Sequence, residues 1–328
     1  MYLMKYKYLM KKILLYNSGG GLGDSIQLFS LILSLKHYFK KTDFYYLGAH
    51  KNHFQDKLKD FNINIKTFDL GLKYFGFRWW HILFVKKKFE NQKLEKFDLI
   101  VDLQSKIRNT LILRKIPHDH FYSATFLYKF CTKKLEKASE NHIENLNNFL
   151  DVNIKVNNFN LNNLDAKYKT EAKRLLPDKN YVGFSLTQGN LYREKSWSVN
   201  NFIILASKII DLNKKVVFFI EKENTDLINE IKIRLPEALF PEQHSNLNGP
   251  ALVTALASRL NLAITIDNGV MHMIGLANIP MIVLFGPTDA SKFAPKIDTI
   301  KVLDSKKIYK SKDINKITVN DVYKNLNI

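Results

Sequence analysis

Apolar and polar positions follow two rhythms along this chain. Lys12–Tyr16 (KILLY) is a compact apolar run, the pattern of a strand buried on both faces. Asp24–Phe39 then carries Ile26, Phe29, Leu31, Ile32, Leu33 and Leu35 at helical spacing. Asp43–Gly48 predicts a second strand, Ile63–Phe68 a third and Phe97–Leu103 a fourth, with a helix after it through about Lys115. Strand–helix alternation of this kind predicts a parallel sheet with helices on both faces.

The rhythm lapses over 136–175, a stretch rich in Asn, Lys and Glu that predicts a helix or two and then a linker. It restarts with a strand at Tyr181–Leu186, a helix over about 198–211, a strand at Lys215–Ile220 and a helix near Asp226–Leu235. Ala251–Leu260 predicts a helix, Leu262–Ile266 a strand, Val270–Ala277 a helix, Pro280–Phe285 a strand and Val319–Leu326 a terminal helix. The run Asn268–Thr288 is uncharged and long enough to imitate a membrane span. Gly269, Gly275, Asn278, Pro280 and Pro287 break it, so a helix, a turn and a buried strand are expected instead. Met1–Met10 mixes Lys and Tyr with Leu and does not read as a signal peptide; Met10, just before the first strand, is a candidate start.

The length of 328 residues suits two such halves, and 46% hydrophobic residues supply their cores. The single Cys131 excludes an internal disulfide framework and a cysteine-based zinc site, and fits a reducing compartment. The net charge is +19, with 27 basic against 15 acidic residues in 1–165. That field attracts polyanions such as nucleic acid, anionic lipid and phosphorylated glycans without choosing among them. The chain is also rich in Lys, Asn and Ile, the residues that an AT-rich coding sequence would favour, so charge alone names no partner.

Three constellations carry chemistry. Gly19–Gly23 (GGGLG) lies between a strand and a helix, where glycines allow close backbone approach. It lacks the G-x-G-x-x-G register and has no P-loop Lys-Ser/Thr after it. Asp24 closes the loop; it either complements the helix dipole or, at the C-terminal edge of a parallel sheet, serves as a general base. In the second half Ser185-Leu186-Thr187 ends a strand, and Arg193-Glu194-Lys195-Ser196-Trp197 leads into a helix. A hydroxyl beside a cation suits phosphate, and a solvated loop explains it equally well. Glu221 and Glu223 follow the next strand and could accept from ribose hydroxyls or simply cap a helix. The third is the most informative: Ile266-Asp267-Asn268-Gly269-Val270-Met271-His272, followed by Phe285-Gly286-Pro287-Thr288. A strand ending in Asp-Asn-Gly and opening into a helix is an arrangement for a diphosphate, with His272 in the first helical turn.

In this order the motifs resemble glycosyltransferase family 9, the ADP-heptose–lipopolysaccharide heptosyltransferases. The matching features are Gly21–Asp24, Val101-Asp102-Leu103-Gln104, Lys195-Ser196-Trp197, Asp267–His272 and Phe285–Thr288, over about residues 11–290. The resemblance implies a GT-B fold: α/β, two Rossmann-like parallel-sheet domains facing across a cleft. It implies an acceptor-binding domain over 1–170 and a nucleotide-sugar-binding domain over 171–328, the last helix packing back on the first. It further implies an inverting transfer without a metal cofactor, from a nucleotide sugar (ADP-heptose) to a lipopolysaccharide core or related surface glycan. Asp24 takes the position of the catalytic base and Lys195 that of the lysine stabilising the leaving diphosphate. Thr187, Glu221, Glu223, Asp267, Asn268, Gly269, His272 and Thr288 fall on the donor side, and Gly21, Gly23 and Gln104 on the acceptor-side loops. The family usually has Thr or Ser where Asn268 stands, which keeps open a different nucleotide sugar and glycan acceptor. The expected protein is a cytoplasmic monomer, peripheral at the inner face of the inner membrane.

Independently of that resemblance, no two aspartates stand in D-x-D spacing, so a leaving diphosphate would fall to Lys195 and helix N-termini. His50 and His53 lack the partners of a metalloprotease motif, and His118 and His120 flank Asp119 in an expected loop. Phe75–Phe89 (FGFRWWHILFVKKKF) is aromatic and then basic. It reads either as core with a solvated lysine edge or as a seat on anionic lipid. Dispersed charge and the absence of a nucleic-acid motif make a nucleic-acid-binding protein the remote alternative.

Overall fold

A computed structural model of the chain describes residues 10–104, 106–135, 138–139, 141–187 and 195–327. Arg193 and Glu194 of the loop before Lys195, and the first nine residues, lie outside these. The chain divides into two units, Met1–Phe159 and Asn160–Ile328.

In the first unit, β1 (Lys12–Asn17), α1 (Leu22–Ile26), α2 (Phe29–Tyr38), β2 (Asp43–Gly48), β3 (Lys66–Thr67), α3 (His81–Glu90), β4 (Phe97–Asp102), α4 (Ile107–Leu113), β5 (His118–Ser123) and α5 (His142–Leu150) follow in order. The strands form one sheet in the order β3-β2-β1-β4-β5, with every pair parallel. β1 is central, and Ile13, Leu14, Leu15 and Tyr16 are fully buried, as an apolar run covered by helices on both faces should be. The expected long helix from Asp24 is two helices. At the break Leu28 N–H donates to Ser25 O, a tighter three-residue step that re-aims the chain. The loop expected around His118 and His120 is strand β5. Only its second half, Phe121 to Ser123, is buried, so its polar beginning hides the strand pattern.

The second unit runs α6 (Ala166–Leu175), β6 (Tyr181–Ser185), α7 (Val199–Ile210), β7 (Lys215–Phe218), α8 (Thr225–Arg234), α9 (Pro250–Ala257), β8 (Leu262–Ile266), α10 (Gly269–Gly275), β9 (Met281–Phe285), α11 (Ala290–Phe293), β10 (Ile300–Asp304), α12 (Ser305–Tyr309) and α13 (Val319–Tyr323). Its strands are again all parallel, in the order β10-β9-β8-β6-β7. The uncharged run after Asn268 is helix α10, a turn and the buried strand β9. Among the described residues no helix is long and apolar enough to cross a membrane. The terminal helix α13 packs on α7 of its own unit, with Val322 buried in the core around Trp197 and Phe202.

Each sheet has a point where the crossovers change direction: between β1 and β4 in the first unit, and between β6 and β8 in the second. Beyond the carboxyl ends of such a strand pair the loops diverge and leave a crevice, which is where open α/β sheets bind ligands.

Candidate active site

The glycine loop leaves β1 at the first of these points. Asn17 Oδ1 accepts from Gly19 N–H (2.9 Å) and from Gln104 Nε2 (2.7 Å), so one side chain ties the loop after β1 to the loop after β4. Gln104 is held in turn by its own N–H, which donates to Asp102 Oδ1 (3.0 Å). Asp102 is fully buried and also accepts from Thr110 Oγ1 (2.6 Å) and Ser123 Oγ (2.8 Å). Burial raises its carboxyl to about 6, against three hydrogen bonds that favour the charged form. The Val-Asp-Leu-Gln motif is thus a brace: a buried acid fixes the loop that fixes Gln104.

Asp24 is half-buried at the third position of α1, and its Oδ2 accepts from Gly21 N–H (3.1 Å). The acid therefore does the capping work that a first-turn carboxylate commonly does. It also accounts for the glycines. A Cβ on Gly19 would lie 2.6 Å from the Asp24 carboxyl carbon, and one on Gly20 would lie 2.4 Å from the His50 ring. The loop is wrapped on Asp24 from one side and on His50 from the other. His53 Nε2 lies 3.2 Å from Gly20 O. The HKNH pair thus supports the glycine loop, a role its spacing does not announce. Gly23 is the second residue of α1.

At the second unit's reversal, Thr187 follows β6, and Asp267 and Asn268 follow β8. Lys195 Nζ lies 2.6 Å from Asp267 Oδ2, with both side chains largely buried. Two residues on, Trp197 is 1% exposed and donates its indole N–H to Ile317 O (2.7 Å). Ser198 N–H donates to Asn315 Oδ1 (2.8 Å). The Lys-Ser-Trp motif divides its labour: the tryptophan anchors the segment so that the lysine faces Asp267. Asn268 caps α10, its Oδ1 accepting from Met271 N–H (2.8 Å). Its amide donates to Ser185 Oγ (2.8 Å) and Thr187 O (2.9 Å). Asn268 is therefore a cross-brace between β6 and β8 that gives two hydrogens and accepts one, whereas a Thr or Ser hydroxyl has a single hydrogen to donate.

Gly269 opens α10, and a Cβ there would meet no atom within 4 Å. Among the described residues nothing forbids a side chain at this position; the space in front of it is what a side chain would fill. His272 is 7% exposed, and burial lowers its imidazole to about 4, Lys195 adding to the fall while Asp267 opposes it. It is neutral at physiological pH and contributes hydrogen-bonding atoms, not charge. Thr288 is 5% exposed, and its Oγ1 has no hydrogen-bond partner among the described residues. Gly286 is small because a Cβ would lie 2.8 Å from Lys312 O.

Glu221 and Glu223 are exposed just past β7. A third acid, Glu242, joins them. It arrives because Phe218 N–H donates to Leu239 O (2.8 Å) and Leu239 N–H to Val216 O (2.9 Å), which lays 239 alongside β7. Burial, and then the neighbouring charge of Glu221, push the Glu242 carboxyl up to about 7. Sequence carries no signal for it, since it reaches the cluster through backbone pairing. Among the described residues no group of three or more His, Cys, Asp and Glu side chains is arranged to hold a metal ion.

The fold is shared with several solved structures. A glycosyltransferase family 9 protein from Veillonella parvula is 18% identical, with a TM-score of 0.65 over 96% of this chain and 95% of that one. E. coli ADP-heptose lps heptosyltransferase II is 14% identical, with a TM-score of 0.63 over 97% and 98%. E. coli heptosyltransferase WaaC with ADP-2-deoxy-2-fluoro heptose is 13% identical, with a TM-score of 0.63 over 95% and 98%. No curated protein sequence matches. The family model for glycosyltransferase family 9 (heptosyltransferase) matches residues 86–324, well over half of the chain. The chain belongs to glycosyltransferase family 9, and it is a glycosyltransferase.

Proposed function

We propose that this enzyme transfers a sugar, heptose from ADP-heptose, with inversion and without a metal cofactor, to a lipopolysaccharide core or related surface glycan at the inner face of the inner membrane. The observation that carries this reading is the placement of the motif residues. Asp24 and Gln104 stand at the strand-order reversal of one sheet, and Thr187, Lys195, Asp267 and Gly269 at that of the other. The second unit takes the nucleotide sugar. Gly269 leaves room for it, Thr187, His272 and Thr288 offer uncharged polar atoms, and Glu221 and Glu223 suit ribose hydroxyls. The ADP of WaaC and its fluorinated heptose analogue are the ligands of a structural neighbour and support the choice of donor.

The reaction is a single displacement. Asp24 accepts the proton of the acceptor hydroxyl, the hydroxyl oxygen bonds to the anomeric carbon, and the bond from that carbon to the diphosphate oxygen breaks. Charge gathering on the leaving diphosphate is met by Lys195, which is already held in a partly dry setting where its charge is weakly screened. Asp267 keeps the ammonium in place. A different nucleotide sugar is the second reading, favoured by Asn268 at the position where the family usually has Thr or Ser.

A thermal-shift panel of ADP-heptose, GDP-sugars and UDP-sugars separates the two. Ligand at 100 times its Kd stabilises by about 2.7 kcal/mol, an upward Tm shift of several degrees. ADP-heptose alone giving that shift supports the first reading. A shift with a GDP- or UDP-sugar in its place establishes the second, and no shift with any of them contradicts both.

A further inference from the structure

The first unit displays an apolar surface that its own core does not use. Helix α3 buries His81, Val85 and Phe89. Its opposite side carries Leu83 (75% exposed) and Phe84 (46%), with Trp79 (54%) and Trp80 (51%) just before it. Trp80, Leu83, Phe84 and Lys87 recur at helical spacing and so share one outward stripe. The Trp80 and Phe84 rings touch edge-on, 5.8 Å between centroids, which makes the stripe continuous. Monomeric chains rarely leave such a patch uncovered.

The display is fixed. Gly76, at φ +85°, donates its N–H to His81 Nδ1 (3.1 Å) and accepts from Arg108 Nε (2.7 Å). A Cβ at Gly76 would lie 2.3 Å from the Tyr16 hydroxyl, which itself donates to Phe75 O (3.1 Å). The segment before α3 is therefore pinned to the carboxyl edge of the sheet, the edge that carries Asp24. Nearby, His50, which backs the glycine loop, meets the Tyr74 and Phe77 rings at 5.7 and 6.2 Å.

The charge along the stripe is mostly basic. Gly71–Lys88 contains Lys73, Arg78, Lys86, Lys87 and Lys88 and no acid, and the acids flanking it are Asp69 and, at the end of α3, Glu90. Exposed indoles, a leucine and a phenylalanine framed by lysines match the interface of an anionic bilayer: rings enter at headgroup depth, and ammonium groups meet lipid phosphates. We propose that this face docks the enzyme on anionic membrane, which rests on the reading of a glycolipid acceptor and sets Asp24's edge of the sheet near the plane where that acceptor lies.

The test needs no sugar chemistry, so its outcome is separate from that of the donor panel. Vesicles of phosphatidylcholine alone and of phosphatidylcholine with phosphatidylglycerol are mixed with the full chain at low salt and sedimented. The expected result is retention on the anionic vesicles only, with a blue shift of tryptophan emission. Of the three tryptophans Trp197 is already buried, so the shift reports Trp79 and Trp80. Both W80S/L83S/F84S and K86E/K87E/K88E lower retention by at least about 10-fold, whereas K169E/K173E/K179E on the other unit lowers it far less. Circular dichroism and melting show each variant folded. Three results overturn the proposal: no salt-sensitive retention of the unaltered chain, equal retention of W80S/L83S/F84S, or concentration-dependent dimers that this variant abolishes while vesicles retain nothing.

Discussion

At the residue scale the side chains to which we assign chemistry also hold the structure together. Lys195 and Asp267 are the clearest case. Both are largely out of water, so removing the lysine leaves the Asp267 carboxylate without this cation in a poorly solvated place. Lys195→Ala should lower kcat about 100-fold and destabilise the second unit by about 3 kcal/mol, read by turnover and by urea unfolding. Lys195→Arg should keep most of the stability while still losing rate, because a planar guanidinium does not reproduce a point charge. If Lys195→Ala turned over at the unaltered rate, the lysine would be only a structural partner of Asp267. Asn268 shows how much of such a site is legible. Its place in Asp-Asn-Gly marks it from sequence as a site residue. Its three bonds, to Met271, Ser185 and Thr187, needed the fold, because Ser185 and Thr187 lie more than eighty positions away.

At the element scale the two sheets solve one problem in one way. A strand-order reversal opens a crevice, and each is cross-braced by an amide side chain: Gln104 to Asn17 in the first unit, Asn268 to Ser185 and Thr187 in the second. The central strands were readable because burial on both faces makes them continuous apolar runs, as in β1, β6 and β8. The strands that escaped, β5 and β10, are edge strands. His118, Asp119 and His120 begin β5, and Lys301 interrupts β10. An edge strand needs only part of one face buried, so its pattern is weak. The Lys-Ser-Trp segment makes a prediction at this scale. Trp197→Phe keeps an aromatic body but loses the bond to Ile317 O and leaves that carbonyl buried. The expected cost is about 1–3 kcal/mol in the second unit. Loosening of Lys195 should also raise the KM for nucleotide sugar. A change in stability with unchanged KM would show that the tryptophan does not position the lysine.

At the scale of the whole molecule, charge and pH separate two roles for ionisable groups. Glu242 is raised from its ordinary 4.5 to about 7 by burial and by Glu221. Between these values the folded chain holds a proton that the unfolded chain has released, so stability falls as pH rises through that window. Glu242→Gln should flatten this slope, raising Tm by about 2–4 °C per kcal/mol recovered above pH 7 and changing little below about 4.5. Parallel pH–melting curves for the two proteins would show that the acid is solvated. The net charge of +19, with its excess in the first half, gains a location: part of it frames the aromatic face of α3. Composition alone draws nucleic acid, lipid and phosphorylated glycan without choosing among them; membership of glycosyltransferase family 9 adds that the chain is a glycosyltransferase.

We propose Asp24 as the base of the sugar transfer. The most direct measurement compares Asp24→Asn with the unaltered enzyme for nucleotide-sugar affinity and for turnover with acceptor. Asparagine fits the same space and can still accept from Gly21 N–H, so the fold and donor affinity should persist. Turnover should fall by about 100-fold or more, the share a positioned base contributes. Turnover at the unaltered rate, with donor still bound, would contradict the account and leave Asp24 as a helix cap alone.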